Sequence, residues 1–183
     1  MRVLGISGSL RRDSHNTKLL RAAARLLPPG SELEVWEGLK AVPPYDGDDD
    51  TGEPRAWVLR SLDEAIRDAD VVLFATPEYN HSIPGQLKNA LDWLSRPLKT
   101  SPLRNKPVAV VGASTGLFGA VWAQAELRKV LGAIGARVVD RELPVGLADD
   151  AFTEGGRLAD PDLELVLADL LAELAGEASP VPA

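Results

Sequence analysis

Three stretches of the chain concentrate side chains able to bind or transform a small molecule. They are Gly8-Ser9-Leu10-Arg11-Arg12-Asp13-Ser14-His15-Asn16-Thr17, Thr76-Pro77-Glu78-Tyr79-Asn80-His81-Ser82-Ile83-Pro84-Gly85 and Gly112-Ala113-Ser114-Thr115-Gly116-Leu117-Phe118-Gly119. The first crowds hydroxyls, an amide and two guanidiniums between an apolar run and a helix start. A helix start offers free N–H groups and partial positive charge, and hydroxyl and Arg donors around it suit a phosphate monoester dianion. Neither the G-x-G-x-x-G spacing of dinucleotide sites nor the Gly-Lys-Ser/Thr of a P-loop is present. The bland reading of this stretch is a capped helix, with Asp13, Ser14 and Asn16 at its start and the arginines in solvent.

In the second stretch, Pro77 and Pro84 stiffen the chain. A rigid loop can present backbone N–H and C=O groups to a flat heteroaromatic ring. Alternatively the prolines only end a strand and begin a helix, with Tyr79 covering core. The third stretch fits three unrelated patterns. As G-x-S-x-G it would be a nucleophile elbow at Ser114, but the usual order of such triads puts the His downstream, and His15 and His81 both lie upstream. As G-x-x-x-G it would be a membrane dimer face. As a glycine turn at a strand end it lets main chain approach a ligand closely, and this last reading agrees with the other two stretches.

Composition narrows the chemistry further. The 183 residues are 45% hydrophobic and 26% charged, an ordinary globular mix with length for one core. Twenty Lys and Arg against 27 Asp and Glu leave a formal charge of −7. Such a chain repels phosphate backbones, so nucleic acid and anionic membranes are not expected partners and any anion site must be local. Without Cys, disulfides, thiolate catalysis and Cys-ligated metals are excluded, and two His leave little for a His-based metal site. No metal ligand set is assigned. The acidic run from Asp46 to Gly52 hints at a calcium loop, but its glycine is one place late and Trp57 stands where the closing Glu belongs, so it reads as a solvated loop.

Two segments bear on location. The N-terminal apolar run is short and most of its basic residues follow it, so it does not read as a secretory signal, and the cytoplasm is the expected compartment. Pro107 to Ala125 carries no charge, yet Pro107, Gly112, Ser114, Thr115, Gly116 and Gly119 interrupt it where a spanning helix needs continuous apolar side chains.

The three stretches must be positioned by the elements between them. Short Val- and Ile-rich runs alternate with helical spacing, which is the pattern of a parallel sheet with crossover helices. Strands are expected at Arg2–Ser7, Glu32–Trp36, Val71–Thr76, Pro107–Gly112 and Arg137–Val139. Helix faces are expected at Leu20, Ala23, Ala24 and Leu27; Val58, Leu62, Ala65 and Ala69; Leu87, Ala90, Leu91 and Leu94; Ala120, Ala123, Leu127, Val130, Leu131 and Ile134; and Leu163, Val166, Leu167, Leu170, Leu171 and Leu174. The chain thus reads as one α/β domain over residues 1–176, a doubly wound five-stranded parallel sheet, with residues 177–183 as a disordered tail. In such a sheet ligands bind outside the carboxyl ends of the strands where strand order reverses, which is where the three stretches fall.

GSLRRDSHN near the N-terminus, paired with PEYNHSIPGQLKNALDWLSRP after the third strand, resembles the NADPH-dependent FMN reductase family, which includes quinone, chromate and azo-dye reductases. The likeness runs from about residue 2 to about Val139. It implies a flavodoxin-like fold of strand order 2-1-3-4-5, with FMN as bound cofactor and NADPH or NADH as co-substrate. By the resemblance Ser9, Arg11, Ser14, Asn16 and Thr17 hold the FMN phosphate. Pro77, Glu78, Tyr79, Asn80 and Ser82 line the isoalloxazine, and Ser114, Thr115 and Gly116 approach its pyrimidine edge. Position 81 varies among relatives, so His81 is expected to tune acceptor preference.

The activity so implied is ping-pong transfer of hydride from nicotinamide to flavin N5, then of two electrons to a small acceptor: a quinone, a flavin, chromate or an azo compound. No side chain has to act as nucleophile or metal ligand, and no catalytic residue is assigned. Relatives are commonly homodimers or homotetramers, and the helix bearing Leu87, Leu91 and Trp93 is the expected interface. The competing function is a flavodoxin-like FMN electron carrier that docks protein partners and does not itself oxidise NAD(P)H. Against it, such carriers usually hold phosphate with a Thr- and Ser-rich loop lacking Arg, whereas Arg11 and Arg12 stand here.

Overall fold

The strongest apolar runs of the sequence become the centre of a parallel sheet. In the computed structural model, which describes residues 1–50 and 56–178, the order of elements is β1 (Arg2–Ser7), α1 (His15–Ala24), β2 (Glu32–Trp36), α2 (Trp57–Asp68), β3 (Val71–Thr76), α3 (Gly85–Leu94), β4 (Pro107–Ala113), α4 (Val121–Ile134), β5 (Arg137–Val138), β6 (Pro144–Val145) and α5 (Pro161–Glu177). Strands pair in the order β2-β1-β3-β4-β5, all parallel. This is the expected flavodoxin-like order, and it reverses between β1 and β3.

Period-two alternation divides the core between the two faces of the sheet. Leu4, Ile6, Val72, Phe74, Val108 and Val110 point to one face, where they meet the buried sides of α2, α3 and α4. Val3, Val71, Leu73, Ala109 and Val111 point to the other and meet α1 and α5. Strands covered on both faces need no polar side, which is why β3 and β4 read as unbroken hydrophobic runs.

The structure departs from the sequence reading in four places. The fifth strand is split: β5 pairs with Pro107 and Val108, while β6, a sixth strand not expected, pairs with Gly112 and Ala113 further along β4. Between them the main chain leaves the sheet, and the buried side chain of Gln124 serves the gap. Its Oε1 accepts from Leu143 N at 3.0 Å and its Nε2 donates to Gly119 O at 3.0 Å. Second, α1 ends at Ala24, so Leu27 lies past the helix, and Leu19 and Ala22 join its buried side.

Third, the helix proposed as a subunit interface is core. Leu87, Leu91 and Trp93 are 1%, 1% and 3% exposed, and the Trp93 indole donates to Pro43 O at 2.9 Å. Helical spacing of apolar residues marks a buried stripe without saying whether the cover is the chain itself or a second copy. Fourth, Glu177 is not tail. It is the last residue of α5, and Arg137 holds it through its carboxylate at 3.0 Å and its carbonyl at 2.7 Å. Residues 179–183 and part of the long loop before α2 lie outside the described residues. Among the described residues, no helix is long and apolar enough to cross a membrane.

Candidate functional site

The carboxyl ends of β1, β3 and β4 each run into one of the three polar stretches, and their side-by-side pairing brings those stretches together. After β1, Gly8 N donates to Ala75 O at 2.8 Å, so the first loop starts pinned to β3. A Cβ at Gly8 would lie 2.9 Å from Leu87 Cδ2, so a larger residue there would have to displace the end of that side chain. Ser9 Oγ accepts from Arg11 N at 3.4 Å, and Ser14 caps α1 by accepting from Thr17 N at 3.3 Å. The amides of His15 and Asn16 belong to the same first turn, where N–H groups have no partner within the helix. Asp13 would oppose an anion, but Lys18 Nζ lies 2.9 Å from it, and that hydrogen bond holds its carboxyl below the ordinary range.

After β3, Tyr79 and Ser82 exchange backbone hydrogen bonds of 3.0 and 3.1 Å across Asn80 and His81. Both central residues have positive φ, 54° and 60°, as the tightest hairpin turns require, and Asn tolerates that region better than most residues. Glu78 has a role that its place in the motif does not reveal. Its Oε2 accepts from Trp122 N and Ala123 N, each at 3.1 Å, capping α4 with a negative charge where α4 lacks a side-chain cap of its own. Ser82 Oγ donates to Glu126 Oε2 at 2.5 Å, a second tie to α4. His81 is exposed and meets the Trp122 ring edge-on at 4.7 Å.

After β4, Ser114 Oγ accepts from Gly116 N at 3.0 Å, and the loop is backed by the segment around β6. Ser114 N donates to Val145 O at 3.0 Å and Leu147 N to Gly116 O at 3.1 Å. Gly119 has φ +56°, and a Cβ there would meet Pro144 C at 2.3 Å, so this close approach of two backbones depends on glycine.

Ser9, Arg11, Ser14, Asn16, Pro77, Glu78, Tyr79, Ser114 and Thr115 line one cleft of about 140 Å³. Thr17 instead faces a neighbouring groove, and Asn80, Ser82 and Gly116 sit in the same loops beside the cleft, outside its lining. Asn16 departs from the part expected of it. Its side chain is buried and bonded to both backbone groups of Ala113, so it braces β4 rather than standing free for a ligand, and its main-chain N–H in the first turn of α1 is the group open to one. His15 and Ala113, which the sequence reading did not include, complete the lining. The His15 Nε2 lies 3.1 Å from Asp149 Oδ1, its ring stacks on Phe152, and its buried Nδ1 has no hydrogen-bond partner. Nothing in the sequence around His15 marks which side of the helix start it takes. No hydrogen bond joins His15 to Ser114, whose hydroxyl accepts from Gly116, so the cleft does not assemble the nucleophile–base pair of a serine hydrolase.

The donors fit a phosphorylated flavin. Arg11, the Ser9 and Ser14 hydroxyls and the first-turn amides of α1 gather at one end, the end suited to a dianion. Proline-stiffened backbone, the Tyr79 ring and the Ser114–Thr115 turn form the other end, suited to a flat heterocycle.

Comparison with known proteins agrees. The chain is 44% identical to an NAD(P)H-dependent FMN reductase of Pseudomonas aeruginosa over 162 residues, 87% of this chain and 85% of that protein. It is 38% identical to a quinone reductase of Escherichia coli over 141 residues, 77% and 74% of the two chains. Among solved structures, the flavoenzyme NAD(P)H:(acceptor) oxidoreductase FerB of Paracoccus denitrificans superposes with a TM-score of 0.82 at 31% identity, covering 97% of this chain and 96% of that one. Because residues 1–150, a span that includes all three loops of the cleft, match the family described as NADPH-dependent FMN reductase, the chain belongs to that family.

Proposed function

We propose that the chain binds FMN in this cleft and works as an NAD(P)H-dependent reductase of a small acceptor, a quinone, a flavin, chromate or an azo compound. The observation that carries the proposal is the convergence of anion donors and a rigid, backbone-rich wall in one open cleft at the point where strand order reverses. FMN, when bound, supplies reversible two-electron chemistry, for which a chain with no Cys and two His has few side chains of its own.

The protein's part is holding and tuning. Ser9, Arg11, Ser14 and the first-turn amides of α1 bind the phosphate, and the amide of Asn16 acts there while its side chain braces β4. Pro77, Glu78, Tyr79, Asn80 and Ser82 hold one side of the ring, and Ser114, Thr115 and Gly116 meet its pyrimidine edge. Backbone N–H groups near Asn80 and Thr115 stabilise negative charge at that edge. A single open mouth beside Tyr79 and Thr115 serves nicotinamide and acceptor in turn, which gives a ping-pong order. His81, 76% exposed on the second loop, tunes the acceptor preference. A homodimer or homotetramer and a cytoplasmic location accompany this reading.

Anaerobic addition of NADPH to the protein as purified tests it. The visible flavin band should bleach within seconds and return when a quinone is added. A yellow protein whose band persists would be an electron carrier, and a colourless one that takes up no FMN would remove the cofactor from the cleft.

A further inference from the structure

A second groove, of about 280 Å³, adjoins the flavin cleft on the β2 side and shares Ser9 and Arg11 with it. Its rim carries Arg11 and Arg12 from the loop after β1, Arg21 from α1 and Lys40 from the turn after β2. On a chain of net charge −7 this gathering of cations is unusual. Among the described residues, none of the Arg12, Arg21 and Lys40 side chains makes an ion pair or a side-chain hydrogen bond, whereas Arg67, Arg128, Arg137, Arg141 and Arg157 each close on a carboxylate. Unpaired cations held around a concave surface repel one another, and a bound anion relieves that repulsion. Between them the groove also offers apolar surface: Leu10, 45% exposed, Val35 and the half-buried Trp36 belong to its lining.

A cationic rim over an apolar wall suits a nucleoside that carries a phosphate monoester. Glu37, the one carboxylate of the lining, can accept from a sugar hydroxyl. The position suits a coenzyme whose nicotinamide lies over the flavin cleft. The ends of β2 and β3 are two strand spacings apart, about 10 Å, and an extended pyridine dinucleotide reaches over that distance.

We propose that this groove binds the adenosine end of NADPH, with Arg12, Arg21 and Lys40 on its 2′-phosphate, and so sets the preference for NADPH over NADH. The assignment rests on the reductase reading given above. It adds specificity residues to that reading, none of which lines the flavin cleft.

The test uses the FMN-loaded protein and the double variant Arg21→Gln/Lys40→Gln, two exposed positions whose replacement leaves the core intact. Loss of charge-assisted contacts to a dianion should raise KM for NADPH by about tenfold or more, with KM for NADH, kcat and flavin content unchanged. An equal rise for both coenzymes would place the pyrophosphate, which they share, in the groove and overturn the assignment. So would no rise for either. A readout independent of turnover is Trp36 fluorescence. The response to 2′,5′-ADP should saturate in the wild type, weaken in the double variant and vanish in Trp36→Phe. Equal binding of 5′-AMP and 2′,5′-ADP, or of inorganic phosphate and 2′,5′-ADP, overturns the proposal. If the protein oxidises no nicotinamide at all, the reductase reading fails, and this titration still decides whether the groove takes a 2′-phosphate.

Discussion

Asn16, in the first turn of α1, closes a pair of hydrogen bonds with the main chain of Ala113 at the end of β4: Nδ2 donates to the carbonyl at 2.9 Å and Oδ1 accepts from the amide at 3.0 Å. The two residues come from the first and third loops of the cleft, on strands separated by β3. One amide side chain therefore sets how far apart the anion end and the ring end of the cleft stand, and both partners are fully buried.

Asn16→Ala should cost about 2–4 kcal/mol of stability, because two buried backbone groups lose their partners at once. Thermal unfolding checks this. Asn16→Asp should recover only part, since a carboxylate can accept from Ala113 N but cannot donate to Ala113 O.

Arg11→Ala should weaken FMN binding by about 1–3 kcal/mol through loss of a charge-assisted phosphate contact, with little change in melting temperature, since the side chain is exposed. Titration of the apoprotein with FMN reads this. Riboflavin, which has no phosphate, should bind wild type and variant alike.

Glu78→Ala should lower stability by about 1 kcal/mol, the usual loss when a helix cap is removed. It should also disturb the second loop, because the cap joins that loop to α4. Glu78→Gln keeps an acceptor and should restore most of the stability. Equal losses in both variants would show that the charge, and not the hydrogen bonds, holds the helix start.

Glu164, in the first turn of α5, accepts from Arg157, and that hydrogen bond holds its carboxyl below the ordinary glutamate range. A depressed native value means that the stabilisation is complete above the unfolded value and is lost as pH falls through the native one. As pH falls from neutrality through the carboxylate range, the wild type should lose melting temperature faster than Glu164→Gln. Parallel curves would show that the pair contributes nothing measurable.

Much of the architecture was legible because β1, β3 and β4 are covered on both faces and so announce themselves as unbroken apolar runs between helical spacings. The three loops were legible as chemistry because Arg, hydroxyls and stiffened backbone are out of place at strand ends unless something binds there. The split edge of the sheet was not legible: what stabilises the break is the side chain of Gln124, 19 residues before Leu143 and on another element, and no local pattern records it. The Asn80–His81 turn was missed for a related reason, since it lacks the Asn-Gly signal that normally betrays such a hairpin. Leu87, Leu91 and Trp93 show the opposite limit, where a clear helical stripe revealed burial but not by whom.

The clamp of Arg137 on Glu177 also decides which way the molecule presents itself. Arg137 opens β5, at the amino ends of the strands, and Met1, whose amino group donates to Gly30 O at 3.2 Å, stands at the same end of β1. Both ends of the described fold are thus anchored at the pole facing away from the cleft. An affinity tag, a fluorophore or a tether to an electrode attached at either one would leave the mouth directed toward the bathing solution.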